Sequence, residues 1–148
     1  MDKFAATGLG FLLAVLWFDL MFDTQTWPHA GDLPPDVLSS ISAYYRRVTT
    51  GAYPMNRLVA LVMLLTIVAI CVEIWQGEKA WWVGWASLAI VGFGVAYTLT
   101  HTVPNAVRLG SAVDTLAVQS NLARTIFHDH VFSFARTLLV LGLQLFAR

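Results

Sequence analysis

The sequence predicts an all-α integral membrane protein, a four-helix bundle with an interfacial amphipathic helix and an extended fourth helix. Three observations carry this. Of 148 residues, 57% are hydrophobic and 12% charged, where a soluble domain holds roughly 45–50% and about 25%. The mean hydropathy of +0.66 leaves more apolar surface than a core of this size can bury. Apolar runs of bilayer length recur along the chain. The length suits one domain, taken as a single transmembrane domain over residues 1–148 with spans near 4–22, 55–75, 81–103 and 131–147.

The first span, Phe4 to Phe22, is 19 residues with one interior charge, Asp19, and as a helix it reaches about 28 Å. A cleaved signal peptide is the rival reading, but the run is long for one, carries Asp19 and lacks a small-x-small exit. Residues 23–54 then turn polar, opening on a turn-rich stretch around Pro28, Gly31, Pro34 and Pro35, the chemistry of a loop. Val37, Ile41, Tyr44 and Val48 recur at helical spacing among polar residues, which predicts a short amphipathic helix at the membrane surface. Tyr44 and Tyr45 suit the depth of an aromatic belt.

Met55 to Trp75 is the second span, with Arg57 near its start and Glu73 near its end. The connector Gln76 to Ala80 is short enough to force a helical hairpin, so the third span, Trp81 to about Val103, returns antiparallel. Trp75, Trp81, Trp82 and Trp85 gather at that turn. Pro104 and Gly110 are expected to end the third span, and Ser111 to Asp114 to open a new helix as a capping box. No glycine or proline occurs from Ala112 to Leu141. One long helix follows, its first half outside the lipid and its second half, Val131 to Ala147, crossing it. The 76–80 connector lies on one face, side A; loops 23–54 and 104–130 lie on the other, side B. The expected location is a bacterial inner membrane, with the arginines of side B placing those loops in the cytoplasm.

Nine Lys and Arg balance nine Asp and Glu without a basic block, which excludes a nucleic-acid partner. One cysteine, Cys71, excludes an internal disulfide and a multi-cysteine zinc site. Gly8, Gly10, Gly92 and Gly94 read as points of close helix approach.

Ionisable residues inside spans are costly, so their placement points to function. Asp19, Arg57, His101 and Arg136 fall at one predicted depth toward side B, Asp23 shares a face with Asp19, and His128, Asp129 and His130 stand at the entrance of the last span. Two readings follow. One is a structural network in which Arg57 and Arg136 neutralise Asp19 and Asp23. The other is the floor of a pocket open to lipid or to side B. His101 with His128 or His130 could also ligate iron, copper or zinc. His128 and His130 stand about 200° apart on a helix, so at most one does; helical phase favours His128. The cofactor is a transition metal or none.

Several stretches together carry a resemblance: Phe18-Asp-Leu-Met-Phe-Asp-Thr-Gln25, Tyr44-Tyr-Arg-Arg-Val48, Pro54-Met-Asn-Arg-Leu58, Val103-Pro-Asn-Ala-Val-Arg-Leu-Gly110, and Asp129 and His130 with Arg136. The chain resembles the small four-helix membrane proteins that include the anthrone oxygenases. The resemblance implies a hydrophobic, aromatic substrate that reacts with dioxygen without an organic cofactor. Asp19, Asp23 and His130 would then supply the base, and Arg57 and Arg136 would stabilise the anion. It points to His130 rather than His128. The expected function is thus a membrane oxygenase or related oxidoreductase acting on a hydrophobic small molecule. The alternative is a non-enzymatic accessory or scaffold subunit. Membrane lipid is a partner on either reading, alongside a homo-oligomer or a larger membrane complex.

Overall fold

The computed structural model describes residues 2–51 and 53–147, among which there is no strand. The α-helices are α1 (Asp2–Asp23), α2 (Pro35–Arg46), α3 (Tyr53–Gln76), α4 (Trp81–Tyr97), α5 (Val103–Ser111) and α6 (Leu116–Phe146). A 3₁₀ turn, Thr24–Thr26, extends α1, and π-helical stretches at Arg47–Gly51 and Thr98–Thr102 follow α2 and α4. Four helical segments, Lys3–Thr26, Tyr53–Gln76, Trp81–Ser111 and Leu116–Phe146, are long and apolar enough to cross a membrane. The chain is an all-α integral membrane protein.

These four segments form a ring. Helix α1 packs between α3 and α6, and α4 closes the ring against both of them. The core inside it is small, built from Ala5, Leu9, Ala69, Ile70, Val91 and Val140, because the outer faces are equally apolar: Leu61, Leu64, Leu65, Leu138 and Leu139 are all exposed. Helices apolar all round are what a bilayer requires. Close approach matters more than burial there. A Cβ at Gly8 would collide with the Thr66 side chain of α3, and one at Gly94 would stand 3.3 Å from Arg136 Nη1 of α6. Gly10 and Gly92 face open space, so the packing role expected of four glycines falls to these two. The α3–α4 turn closes on Gly77 at φ +65°. Its N–H donates to the Ile74 carbonyl and the next N–H, of Glu78, reaches Glu73, both at 3.3 Å. This pair of bonds caps α3 with a left-handed residue that glycine adopts without strain.

A second core, on side B, joins Leu33, Leu38, Ile41, Tyr45, Ala106, Leu109, Leu122, Ala123 and Ile126. Helix α2 starts with Pro35 in its first turn, where a fixed φ and a missing N–H cost nothing. The amphipathic face expected to lie on lipid is turned onto α5 and α6 instead. Gly110 lets this happen: a Cβ there would meet Arg46 N at 2.8 Å, and its carbonyl accepts from Arg46 Nε at 2.9 Å. The 24–34 loop is tied down by Leu33 N–H donating to Ser120 Oγ at 2.9 Å and by Arg124 Nη2 donating to the carbonyls of His29 and Gly31.

Two expected boundaries move. Pro104 and Gly110 do not end the third span, which runs to Ser111. Pro104 has no N–H for the carbonyl four residues before it and crowds that turn; the helix widens at Thr98–Thr102 and continues. Nor do Ser111 to Asp114 form a capping box. Helix α6 begins at Leu116 after Thr115, and Asp114 accepts from Arg108 Nε and Nη2 at 2.8 and 2.9 Å. From Leu116 to Phe146 α6 is unbroken, as expected. The α5–α6 corner is made by Ala112 at φ +55°, a conformation that strains any residue with a Cβ. Ala112→Gly is therefore expected to raise stability by about 0.5–1 kcal/mol, seen as a higher melting temperature in detergent.

Candidate functional site

Two carboxylate-centred networks meet on α6, where Asp129 and His130 are consecutive and both buried. They face different neighbours.

The first network joins α1, α2 and α6. Tyr45 Oη donates to Asp23 Oδ1 at 2.5 Å, and His130 Nδ1 donates to Asp23 Oδ2 at 2.6 Å. Tyr45 Oη also stands 3.3 Å from His130 Nδ1. One turn up α1, Asp19 Oδ1 accepts from Tyr44 Oη at 2.5 Å, and the Tyr44 ring stacks on Phe22 at 4.0 Å. Asp23 is fully buried. Burial, reinforced by the adjacent Asp19 and Asp23 carboxylates, pushes both phenols above their ordinary range. They therefore stay protonated and keep donating.

The second network joins α4 and α6 at the π-helical stretch. Asp129 Oδ1 accepts from Tyr97 Oη at 2.9 Å, and Oδ2 accepts from His101 Nδ1 at 2.9 Å and from Thr102 Oγ1 at 3.0 Å. In a regular α-helix Tyr97 and Thr102 would point about 140° apart. A π-helix bonds residue i to i+5 and so stacks these two. The distortion forced by Pro104 thereby brings Tyr97, His101 and Thr102 onto one carboxylate. Asp129 is buried while the His101 side chain is 43% exposed. Nδ1 of His101 is given to the carboxylate, and Nε2 has no hydrogen-bond partner among the described residues.

Arg136 makes no hydrogen bond to either network. Its Nη2 donates to Ser133 Oγ at 2.8 Å, and its guanidinium lies over Phe132 at 4.7 Å and Phe93 at 5.5 Å. Nε and Nη1 are buried with no hydrogen-bond partner.

These positions correct the expected constellation. Asp19 and Asp23 are served by tyrosine and histidine, not arginine. Arg57 is exposed and sits over the Tyr53 ring at 3.9 Å, because α3 turns it away from α1. Arg136 faces α4, and it is deeper than assumed. At ~1.5 Å per residue it lies about 15 Å from the Phe146 end of α6, whereas His101 lies about 30 Å from Trp81. The single predicted depth holds for Asp19, Arg57 and His101 only. His128 is exposed against Phe127, and the buried member of the pair is His130. Among the described residues no three His, Cys, Asp or Glu side chains converge to hold a metal. His101 gives Nδ1 to Asp129 of α6 and His130 gives Nδ1 to Asp23 of α1.

Sequence reasoning missed Tyr44, Tyr45, Tyr97 and Thr102. The two adjacent tyrosines were consistent with a lipid belt, and the only signal for Tyr97 and Thr102 was Pro104 inside an apolar run. No family model, curated protein or solved structure matches the chain.

Proposed function

We propose that this is a small membrane oxidoreductase of the oxygenase kind, acting on a hydrophobic hydroxyaromatic substrate with His101 as its general base. The observation that supports this is the half-exposed His101 imidazole, held through Nδ1 by a buried carboxylate that is itself fixed by Tyr97 and Thr102. An imidazole so oriented keeps one tautomer and offers Nε2 to a proton donor. The substrate approaches along the α4–α6 face from the lipid, gives its acidic C–H proton to Nε2, and the resulting anion reacts with dioxygen, the oxidant. For an anthrone the balance is anthrone plus dioxygen to anthraquinone plus water. Arg136, seven residues along α6 from the Asp129 that holds His101 and so about 10 Å deeper, does not serve this anion. The setting that fits is a bacterial inner membrane with side B toward the cytoplasm.

Oxygen uptake by the purified protein with anthrone tests the reading. His101→Ala is expected to lower the rate by about 10²–10⁴-fold, while His128→Ala leaves it unchanged. Equal rates for the native chain and His101→Ala would overturn it.

A second reading, an accessory subunit of a membrane complex, draws on a shallow apolar face of α6 formed by Ala135, Leu138, Leu139, Gly142, Leu143 and Phe146. It predicts co-purification of a larger assembly from gently solubilised membranes and no oxygen uptake.

A further inference from the structure

A guanidinium in the middle of a bilayer is costly. Arg136 lies about 15 Å from the side A end of α6, half the thickness of a ~30 Å hydrocarbon layer. Among the described residues no carboxylate lies within ion-pair distance of it. Its one hydrogen bond goes to Ser133 Oγ, and Nε and Nη1 have none. Buried donors left unmade cost more than any cation–π contact returns, and intramembrane cations are retained where they serve a ligand or a path.

The surroundings define the ligand. Gly94 keeps α4 bare beneath the guanidinium, since a Cβ there would come within 3.3 Å of Nη1. Phe93 and Phe132 cover it from the outside, and they are 57% and 53% exposed, so the way in is lateral, from the acyl chains, by rotation of a phenyl ring. A molecule arriving by that route is apolar. A free carboxylate or phosphate would have to shed its hydration to reach mid-bilayer. A flat, neutral molecule with carbonyl acceptors does not, and it stacks on phenyl rings.

We propose that Arg136, Gly94, Phe93 and Phe132 form a binding site for the head group of a lipid-soluble quinone, with a ring carbonyl accepting from the open Arg136 Nε–H. The site is independent of the proton abstraction assigned to His101.

The test uses the full chain in detergent micelles, with decylubiquinone as probe and decylbenzene and decanoate as controls. Decylubiquinone is expected to raise the melting temperature saturably, as a ligand of the native state does, and neither control to do so. Arg136→Leu is expected to weaken the apparent affinity by about 10–100-fold, Arg136→Lys by less, and His101→Ala to leave it within about threefold. Where Arg136→Leu does not fold, the native chain gives a direct readout. In the native chain labelled with ¹⁵N-arginine, the Arg136 Nε–H resonance, assigned by its loss in Arg136→Lys, should move with decylubiquinone alone. An unmoved resonance, equal stabilisation by decylbenzene, or stronger stabilisation by decanoate overturns the quinone site. Unchanged oxygen uptake in Arg136→Lys leaves the His101 reading standing whichever way the binding falls.

Discussion

Replacing Asp23 with alanine is expected to lower the unfolding free energy in detergent by about 3–5 kcal/mol, the range for breaking a buried pair from one side. Asp23 is fully buried and takes two short bonds, from Tyr45 at 2.5 Å and His130 at 2.6 Å. Its loss strands a phenol and an imidazole where water cannot reach them, and it unties α1 from α2 and α6 at once. Asp19→Ala should cost less, because Asp19 is only partly buried and, among the described residues, accepts from the single hydroxyl of Tyr44 at 2.5 Å. The double variant Asp23→Ala/His130→Ala should lose less than the sum of the two single losses, by about 0.5–3 kcal/mol of coupling. Denaturant titration of the four proteins, followed by circular dichroism, reads both numbers. Strict additivity would mean that Asp23 and His130 do not act as a pair.

Asp129→Asn is expected to reduce turnover by about 10²–10⁴-fold with little change in KM, alongside a stability loss of about 1–3 kcal/mol. The carboxylate accepts on both oxygens, from Tyr97 on one and from His101 and Thr102 on the other. An amide keeps one acceptor and turns two N–H donors toward a side where donors already stand. If that side faces His101, Nδ1 becomes the acceptor and the proton moves to Nε2, where the lone pair of the base is needed. Tyr97→Phe and Thr102→Val each remove one donor and leave the tautomer alone, so each should affect turnover far less. Steady-state oxygen uptake across the three variants separates these effects. Full rates in both Asp129→Asn and His101→Ala would remove His101 from the chemistry.

The membrane helices were legible because lipid imposes length and apolarity on every span, and Phe4 to Phe22 or Met55 to Trp75 satisfy both without reference to a partner. The unbroken α6 was legible from the absence of glycine and proline. The site was legible in kind and not in pairing. Asp19, Asp23, His101 and His130 stand out by cost alone, but which donor meets which acid depends on rotation about helix axes that apolar-all-round sequences leave undefined. Arginine was assigned to the acids on charge. The actual donors, Tyr44 and Tyr45, come from a helix whose apolar face reads equally well as lying on lipid or on protein. Pro104 was read as a stop because its local rule is a stop. Pro104 also widens α4 into a π turn without ending it, but that the widened turn brings Tyr97, His101 and Thr102 onto Asp129, 25 residues beyond the proline, is a pairing no local pattern carries.

The bond between Asp23 and His130 spans 107 residues, and chain growth gives that interval a duration. At about 5–20 residues per second, Asp23 is made roughly 5–20 s before the imidazole that completes its pocket. Through that time α1 carries Asp23 toward the membrane surface with one of its two donors not yet synthesised. Tyr45, only 22 residues behind Asp23, arrives within a few seconds and covers one oxygen, so the phenol acts first as a placeholder and only later as one of a pair. Closure of the ring by α6 is then the step at which the nascent protein leaves the care of the insertion machinery, and variants that weaken Tyr45 should be lost during synthesis before any defect shows in the finished protein.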